Sequence, residues 1–321
     1  MRIGTRSTAM ALAQTAEVVR RLKGAWPELA TEVVRFTPQG DRDQRSRLER
    51  HGGKGGAFVA EIRDAMRAGR LEAAMHSLKD MPGDEEAPGL VVGAYLTREA
   101  VEDVLVLRRG LSVADLVAAR GGGLKIGTDS VRRAAFLKRL YPQAEIIHFR
   151  GAADTRVRKL DEGVLQDLPG GSAVGPADAL VMAKAGLIRV GLSDRIEHEF
   201  SESEMLTAVG QGIVAVECAE SAWETRRLLA AIDDADTRAE ALAEREVLWV
   251  LNGHCNSPIA GRSRLVGNRL RLKAAVMALD GTQIVESERD GSANRPRELG
   301  RDVGFDLLAG GAARLIDLAR R

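Results

Sequence analysis

The chain has 321 residues, of which 45% are hydrophobic and 29% charged, and its net charge at neutral pH is +1. This length allows two or three domains with their own cores, and the balanced charge argues against bulk attraction to nucleic acid. No apolar run approaches the length of a membrane span, the N-terminus leaves no room for a signal peptide, and two cysteines cannot form a disulfide framework. We therefore expect a cytoplasmic protein with no nucleic-acid or membrane partner.

Short apolar runs alternate with segments of helical periodicity over most of the chain. The predicted strands are 31–37, 72–76, 90–94, 104–107, 124–127, 144–149, 179–183 and 213–217. The predicted helices between them are 9–23, 58–68, 113–119, 131–140 and 155–162. Such alternation is typical of an α/β fold with crossover connections, and it predicts largely parallel sheets.

The pattern changes towards the C-terminus. A helix is predicted over 238–251, opened by a capping box from Thr237 to Glu240. Two strands follow, 270–279 and 283–288, joined through the Asp280-Gly281 turn, and a last helix covers 298–318.

These elements predict three domains. Residues 1–97 form the first, together with about 205–219, residues 103–200 form the second, and a smaller α+β domain covers 221–321. The glycine- and proline-containing stretch 163–176 is interpreted as a loop insertion.

Asp80 follows a predicted strand, in a polar cluster that ends at Pro82. Open α/β sheets bind ligands at the carboxyl ends of their parallel strands, so Asp80 is a candidate general acid/base or partner of an N–H-bearing ligand. An aspartate that caps its own turn is an equally good interpretation.

Arginines stand at several predicted strand ends. Arg132 and Arg133 open a helix, where the dipole favours an acid, so their placement indicates an anionic ligand. The same design of strand end, glycine or small residues and arginine recurs at the following positions: Arg6, Arg150, Arg156 and Arg189. We expect these loops to line one cleft.

Cys255 lies on a glycine- and proline-flanked turn after a helical stretch. A thiolate there could carry a covalent attachment, although cysteine is also a common small core residue. Lys54 lies in a glycine-rich segment that lacks the spacing of a phosphate-binding loop and is interpreted as part of a mobile lid. The histidines show no metal-ligand spacing, so no metal is expected.

Taken together, these motifs resemble the porphobilinogen deaminase family, also called hydroxymethylbilane synthases. The resemblance runs in order through nearly the whole chain, over residues 2–6, 76–82, 127–133, 150–151, 154–156, 159–163 and 208–212, and through the Cys255 turn that ends at Pro258. The chain departs from the family pattern at Gln39, Ala152, His254 and Ser257.

The resemblance implies two periplasmic-binding-protein-like lobes around a cleft, with Asp80 as the catalytic residue. It also implies a dipyrromethane cofactor joined to Cys255 by a thioether. The implied cofactor-binding residues are Lys79, Thr128, Ser130, Arg132, Arg133, Arg150, Gly151 and Arg156. Porphobilinogen would be the small-molecule substrate, held by Arg6, Arg189 and Lys54, and the protein would be a monomer. A non-enzymatic two-lobed solute-binding protein and a paralogue that condenses a different pyrrole remain as alternatives.

Overall fold

The structure is a computed structural model and describes residues 1–43, 58–83, 87–253 and 257–319. Its first sheet has the strand order β2-β1-β3-β12-β4. The strands are β1 Arg2–Arg6, β2 Glu32–Phe36, β3 Ala73–Ser77, β4 Leu90–Tyr95 and β12 Val214–Ala219. The helices and the turn around them are α1 Ala9–Ala25, α2 Gln39–Arg42, α3 Ala60–Arg67, the 3-10 turn Leu78–Asp80 and α8 Trp223–Ala230.

The second sheet has the order β11-β5-β10-β6-β7. Its strands are β5 Asp103–Leu107, β6 Lys125–Gly127, β7 Glu145–Ile147, β10 Ala179–Ala183 and β11 His198–Glu199. Its helices are α4 Val113–Ala118, α5 Val131–Leu140, α6 Ala153–Asp161 and α7 Lys184–Arg189. A separate hairpin pairs β8 Gln166–Asp167 with β9 Ala173–Val174. The stretch interpreted as a loop insertion therefore contains a short hairpin.

Both large sheets are largely parallel, as predicted, but in each of them one of the five strands runs opposite to the other four. In the first sheet β1 runs parallel to β2 and β3, whereas β12 runs antiparallel to β3 and β4. In the second, β10 is parallel to β6 but antiparallel to β5. The reason is topological. The chain crosses from one sheet to the other before β5 and returns before β12, so each of these strands runs opposite to its neighbours.

The C-terminal region packs a three-stranded antiparallel sheet against helices. The strands are β13 Ile259–Val266, β14 Arg269–Met277 and β15 Ile284–Ser292, and the helices are α9 Ala235–Val250, α10 Pro296–Ala309 and α11 Ala312–Ala319. The single helix predicted over 298–318 is instead two helices, because Gly311 adopts a left-handed conformation with φ 95°. The predicted α/β fold with a smaller C-terminal α+β domain is confirmed.

The start of α9 also differs from the prediction. Asp234 is the N-cap, and its side chain accepts a hydrogen bond from the backbone N–H of Thr237 at 2.8 Å. Thr237 therefore lies inside the helix, where its hydroxyl accepts from the N–H of Arg98 at 3.0 Å. Asp234 takes the N-cap position because its side-chain oxygen is a good acceptor for the first N–H groups of the helix and lies about one turn before Thr237.

Buried polar bonds join the C-terminal region to the rest of the molecule. Glu244 of α9 is fully buried and accepts from Arg98 at 2.6 Å, from the N–H of Gly210 at 2.7 Å and from the N–H of Ser263 at 2.7 Å. A carboxylate satisfied in this way fixes the turn around Gly210 against α9 and β13. In the described part of the chain no helix combines the length and apolar character needed to cross a membrane.

Candidate active site

A cavity of about 830 Å³ lies between the strand ends of the two large sheets, with the end of α9 and the start of β13 at one side. Parallel strands end at the same sheet edge, so the turns after β1 and β3 meet on one wall and those after β6 and β7 on the other. From the C-terminal region, Leu248, Gly253, Ser257 and Ile259 contribute to the lining.

Asp80 reaches the cavity from the short turn that follows β3, and its side chain is 19% exposed. Arg6, the last residue of β1, lies beside it, with Nη1 3.6 Å from Asp80 Oδ2. Arg6 also donates from Nε to Asp41 Oδ2 at 2.8 Å, and its guanidinium carbon lies 3.9 Å from the centroid of the Phe58 ring. These contacts hold a cation and a carboxylate side by side at the cavity wall.

Lys79 is held by a buried amide that sequence reasoning missed. Its Nζ donates to Gln211 Oε1 at 3.1 Å, while Gln211 Nε2 donates to Val101 O at 2.8 Å and to Asp103 Oδ1 at 3.0 Å. Gln211 is fully buried yet lines the cavity. Because its nitrogen faces two acceptors, its oxygen must face the lysine, which fixes the amide orientation. Residues 208–212 are among the segments that resemble the family pattern, but no role was predicted for Gln211.

Asp103 is the buried carboxylate that pairs with both Arg132 and Arg133. Arg132 Nη2 donates to its Oδ2 at 2.7 Å, and Arg133 donates to its Oδ1 from Nε at 3.0 Å and from Nη2 at 2.7 Å. Burial alone would raise the pKa of Asp103, but the charges of both arginines outweigh it and hold the pKa well below its usual range. Asp103 begins an apolar strand, so nothing in its sequence context pointed to this role.

Both arginines line the cavity although they are deeply buried, with side chains 4% and 9% exposed. Burial lowers the pKa of the Arg132 guanidinium. Its Nε is buried and has no hydrogen-bond partner among the residues that the structure describes. A buried donor without a partner is costly, so this atom indicates an acceptor that comes from a ligand.

Two hydroxyl residues precede these arginines at the start of α5. Ser130 is the N-cap, and its side chain accepts from the N–H of Arg133 at 3.4 Å. The Thr128 hydroxyl accepts from the N–H of Ser130 at 3.2 Å. Both residues line the cavity.

Arg150 connects the two walls of the cavity through hydrogen bonds to the segment after β2. Its guanidinium donates to Gly40 O and to Asp43 O, both at 3.1 Å, and its N–H donates to Gln166 Oε1 at 3.2 Å. Gly151 follows with φ 131°, a conformation that favours glycine and lets the chain turn into α6.

Arg156 extends from α6 to the same wall of the cavity. Burial, reinforced by the charge of Arg133, lowers its pKa to about 10. Its Nε is also buried without a hydrogen-bond partner in the described ranges. Arg132 and Arg156 thus both present an unsatisfied guanidinium nitrogen, which suits a ligand with more than one carboxylate.

Among the described residues, Arg189 is the one predicted site residue that does not line this cavity. It ends helix α7 rather than a strand, because α7 begins directly after β10 without a loop. Cys255 and Lys54, with the predicted lid, lie outside the described residues. The other cysteine, Cys218, is buried in β12, and burial raises its pKa to about 11.

Asp129 and His148 also line the cavity and were not predicted as site residues. Asp129 Oδ1 lies 2.7 Å from His148 Nδ1, and Asp129 Oδ2 lies 3.3 Å from Arg150 Nε. Over the part of the chain that the structure covers, no group of three or more histidine, cysteine or acidic side chains is placed to hold a metal ion.

The fold and the cavity define a class of protein: an α/β protein with an arginine-lined cleft for a ligand that carries several carboxylates. The family model described as porphobilinogen deaminase, dipyromethane cofactor binding domain, matches residues 1–227, and the C-terminal domain model of that family matches 238–309. The chain belongs to the porphobilinogen deaminase family. The predicted dipyrromethane cofactor is therefore a property of its family, and the unsatisfied nitrogens of Arg132 and Arg156 fit such an acidic group.

Named relatives match over almost their full length. The porphobilinogen deaminase of Syntrophobacter fumaroxidans is 38% identical over 317 residues, covering 99% of this chain and 97% of the relative. That of Gloeobacter violaceus is 39% identical over 319 residues, covering 98% and 92%. Among solved structures, the periplasmic aliphatic sulphonate binding protein SsuA of Escherichia coli aligns with 78% of this chain and 72% of its own, at 16% identity and a TM-score of 0.37.

Proposed function

We propose that this protein is a hydroxymethylbilane synthase, a transferase of tetrapyrrole (porphyrin and heme) biosynthesis. It would join four porphobilinogen molecules head to tail on a covalent dipyrromethane primer, releasing ammonia and hydroxymethylbilane. The observation that carries the proposal is the cavity itself, which Asp80 and several arginines line, and in which Arg132 and Arg156 each have a buried Nε without a partner among the described residues. Each porphobilinogen brings two carboxylates, so a growing chain needs such a set of permanently charged donors.

The proposed roles follow the position of each residue. Cys255 would hold the primer through a thioether, a role supported by its neighbours Gly253 and Ser257, which line the cavity. Arg6, Arg189 and Lys54 would bind substrate carboxylates. The residues proposed to hold the primer and the growing chain are Lys79, Thr128, Ser130, Arg132, Arg133, Arg150, Gly151 and Arg156.

Asp80 would serve every round of the reaction. The C–N bond of the porphobilinogen aminomethyl group breaks and ammonia leaves, and the methylene carbon then bonds to a free pyrrole α-carbon, which loses its proton. When bound, dipyrromethane supplies the first such α-carbon. Asp80 can accept hydrogen bonds from pyrrole N–H groups and stabilise the positive charge that develops on the ring. It can also take up the released proton. Water would release the product by adding to the methylene carbon contributed by the first porphobilinogen, as the bond from that carbon to the primer breaks and the primer α-carbon regains a proton.

The proposal also covers the location, oligomeric state, metal requirement and domain limits of the protein. We place the protein in the cytoplasm as a monomer that needs no metal, since its basic residues can balance the substrate charge. We also propose domain limits of 1–97 with about 205–219, 103–200 and 221–321, around the three main sheets.

The two cysteines provide a matched test of the primer site. Protein made in a host that supplies porphobilinogen should show an added mass of two substituted pyrrole units by intact-protein mass spectrometry. Cys255→Ala should lose both this mass and hydroxymethylbilane formation, because no thiolate remains to hold the primer. Cys218→Ala should keep both, since that thiol is buried in a strand. An adduct that persists in Cys255→Ala, or that disappears in Cys218→Ala, would refute the assignment.

A further inference from the structure

Helix α5 lines the cavity beyond its first turn. Arg132 and Arg133 lie at the start of the helix, and Lys138 lines the cavity from its last turn. At about 1.5 Å of rise per residue, Lys138 lies roughly 8 Å farther along the helix axis than the paired arginines. The small side chain of Ala134 lines the cavity between them. The basic surface of the cavity therefore continues along α5.

Lys138 is the one basic residue of the described cavity lining that has no assigned role. The other basic residues of that lining are Arg6, Lys79, Arg132, Arg133, Arg150 and Arg156. Within the described ranges, Lys138 has a carbonyl as its partner and no carboxylate. Its charge is thus available to an acidic ligand.

The aspartates in and beside the cavity lie near other cations. Asp41 and Asp80 both lie within ion-pair distance of Arg6. Asp129 Oδ2 lies 3.3 Å from Arg150 Nε, and Asp43 also acts electrostatically on Arg150. These four carboxylates therefore balance arginines elsewhere in the cavity and not the lysine at the end of α5.

The C-terminal region holds the Lys138 side chain at the cavity edge. Its Nζ donates to Leu279 O at 3.0 Å, and Leu279 itself lines the cavity. An ammonium group has three N–H donors, and this carbonyl accounts for one of them. The neighbouring carboxylate, Asp280, accepts from the N–H of Thr282 at 3.0 Å and from its hydroxyl at 2.7 Å. The ammonium can therefore keep its carbonyl partner and still donate to a ligand.

The turn that carries Leu279 is fixed against α5. Gly281 adopts φ 75° and packs so closely that a Cβ on it would lie 2.6 Å from Ala135 O and 3.1 Å from Arg139 N. Only glycine allows this approach without a shift of the helix or the turn. The acceptor that orients Lys138 thus has a defined position relative to the arginines of the same helix.

This edge of the cavity lies on the side of the proposed primer attachment. Ser257, two residues after Cys255 in the sequence, lines the cavity. The next residue, Pro258, accepts through its carbonyl from the N–H of Met277 at 3.1 Å. Leu279 follows just beyond Met277, the last residue of β14. The chain that leads from Cys255 therefore pairs with the strand whose end orients Lys138.

We propose that Lys138 binds a carboxylate of the dipyrromethane primer, and so extends the carboxylate-binding surface of α5 from Arg132 and Arg133 towards the attachment side. This inference rests on the proposed function, because it takes a primer with two carboxylates on each pyrrole as the ligand. Lys138 is a ligand-binding residue in this scheme and takes no part in bond making.

The first test measures how fast each lysine is acylated by acetic anhydride, with peptide mass spectrometry as the readout. Wild-type protein that carries the primer is compared with Cys255→Ala protein, which carries none. Lys138 should react about threefold more slowly in the primed protein, because a bound carboxylate shields the amine. Lys23, an exposed lysine that does not line the cavity, should react at the same rate in both proteins.

The second test measures melting temperatures with and without the primer. Lys138→Met should lower the melting temperature of the primed protein by about 1–3 °C, since it removes one ion pair, and should leave that of Cys255→Ala protein unchanged. Lys138→Arg should keep the primed value because it keeps the charge. Arg139→Met is the control, since Arg139 is exposed on the same helix but does not line the cavity.

Equal acylation of Lys138 in primed and Cys255→Ala protein would overturn the inference. So would an equal drop in melting temperature in both backgrounds, which would limit Lys138 to its bond with Leu279. Shielding that appears only after porphobilinogen is added would assign Lys138 to the growing chain and also overturn it. In each case the wild-type protein carries its primer, so the proposed function survives. Absence of any pyrrole adduct from the wild-type protein would instead overturn the proposed function.

Discussion

Replacing Asp80 with asparagine is expected to lower kcat for hydroxymethylbilane formation by about 10²- to 10⁴-fold, while the primer stays attached. Asparagine keeps the size of the side chain and one acceptor oxygen, but it cannot balance the positive charge on a pyrrole ring or take up the released proton. The neighbouring Arg6, 3.6 Å away in the native protein, would keep Asp41 as a partner but would face the developing cation without the Asp80 carboxylate between them.

The measurement combines a product assay with intact-protein mass spectrometry on the same sample. Asp306→Asn is a suitable control, because Asp306 is also paired with an arginine, Arg289 at 2.6 Å, but lies away from the cavity. If Asp80→Asn kept more than about a tenth of the wild-type kcat, Asp80 would be only the turn-capping aspartate that the sequence also allowed.

The second large effect is expected on stability. Asp103→Asn should lower the free energy of unfolding by roughly 3–5 kcal/mol, because it leaves Arg132 and Arg133 buried with a neutral partner. Many proteins are stable by only about 5–15 kcal/mol, so this change should also impair loading of the primer. Urea unfolding measures the first effect, and the fraction of protein that carries the adduct measures the second.

The matched control for Asp103 is an exposed ion pair. Glu224→Gln removes the partner of Arg227, which lies 2.7 Å away on the surface of α8, and should leave the urea midpoint unchanged. A loss of less than about 1 kcal/mol in Asp103→Asn would mean that the two arginines find other acceptors, and that Asp103 does not organise this wall.

Much of the site was predictable because parallel strands end at a common edge. Arg6 ends β1 and Asp80 follows β3, two parallel strands of the first sheet, so their proximity followed from topology. Arg150 follows β7 of the second sheet, so its place on the other wall depends on how the two sheets pack together. Arg189 did not obey this rule, because helix α7 begins directly after β10 and carries the arginine to the far end of the helix. Sequence spacing does not distinguish a strand that is followed by a loop from a strand that is followed directly by a helix.

The partners of the arginines were not predictable in the same way. Asp103 precedes Arg132 by 29 residues and meets it only through the packing of the second sheet. Gln211 joins Lys79 across 132 residues. These bonds are tertiary, and no local pattern marks a buried aspartate at the start of an apolar strand. The sequence therefore predicted a cleft for anions but not the groups that hold its arginines in place.

Strand β13 was also missed, for a local reason. Its residues alternate imperfectly, with Arg262 half-buried, Ser263 buried and Arg264 exposed, so the apolar period that marks a strand is lost. Ser263 is buried because it donates to Glu244 at 2.9 Å. A polar residue that replaces an apolar one at a buried strand position conceals the strand from pattern analysis.

Mass spectrometry of the holoenzyme during turnover tests the proposed function most directly. After brief exposure to limiting porphobilinogen, the intact protein should carry its primer and show a ladder of species, each heavier than the last by one deaminated pyrrole unit. The ladder should collapse to the primer-bearing form as hydroxymethylbilane is released. A protein with no covalent pyrrole, or one whose mass stays constant while porphobilinogen is consumed, would contradict stepwise condensation in this cleft.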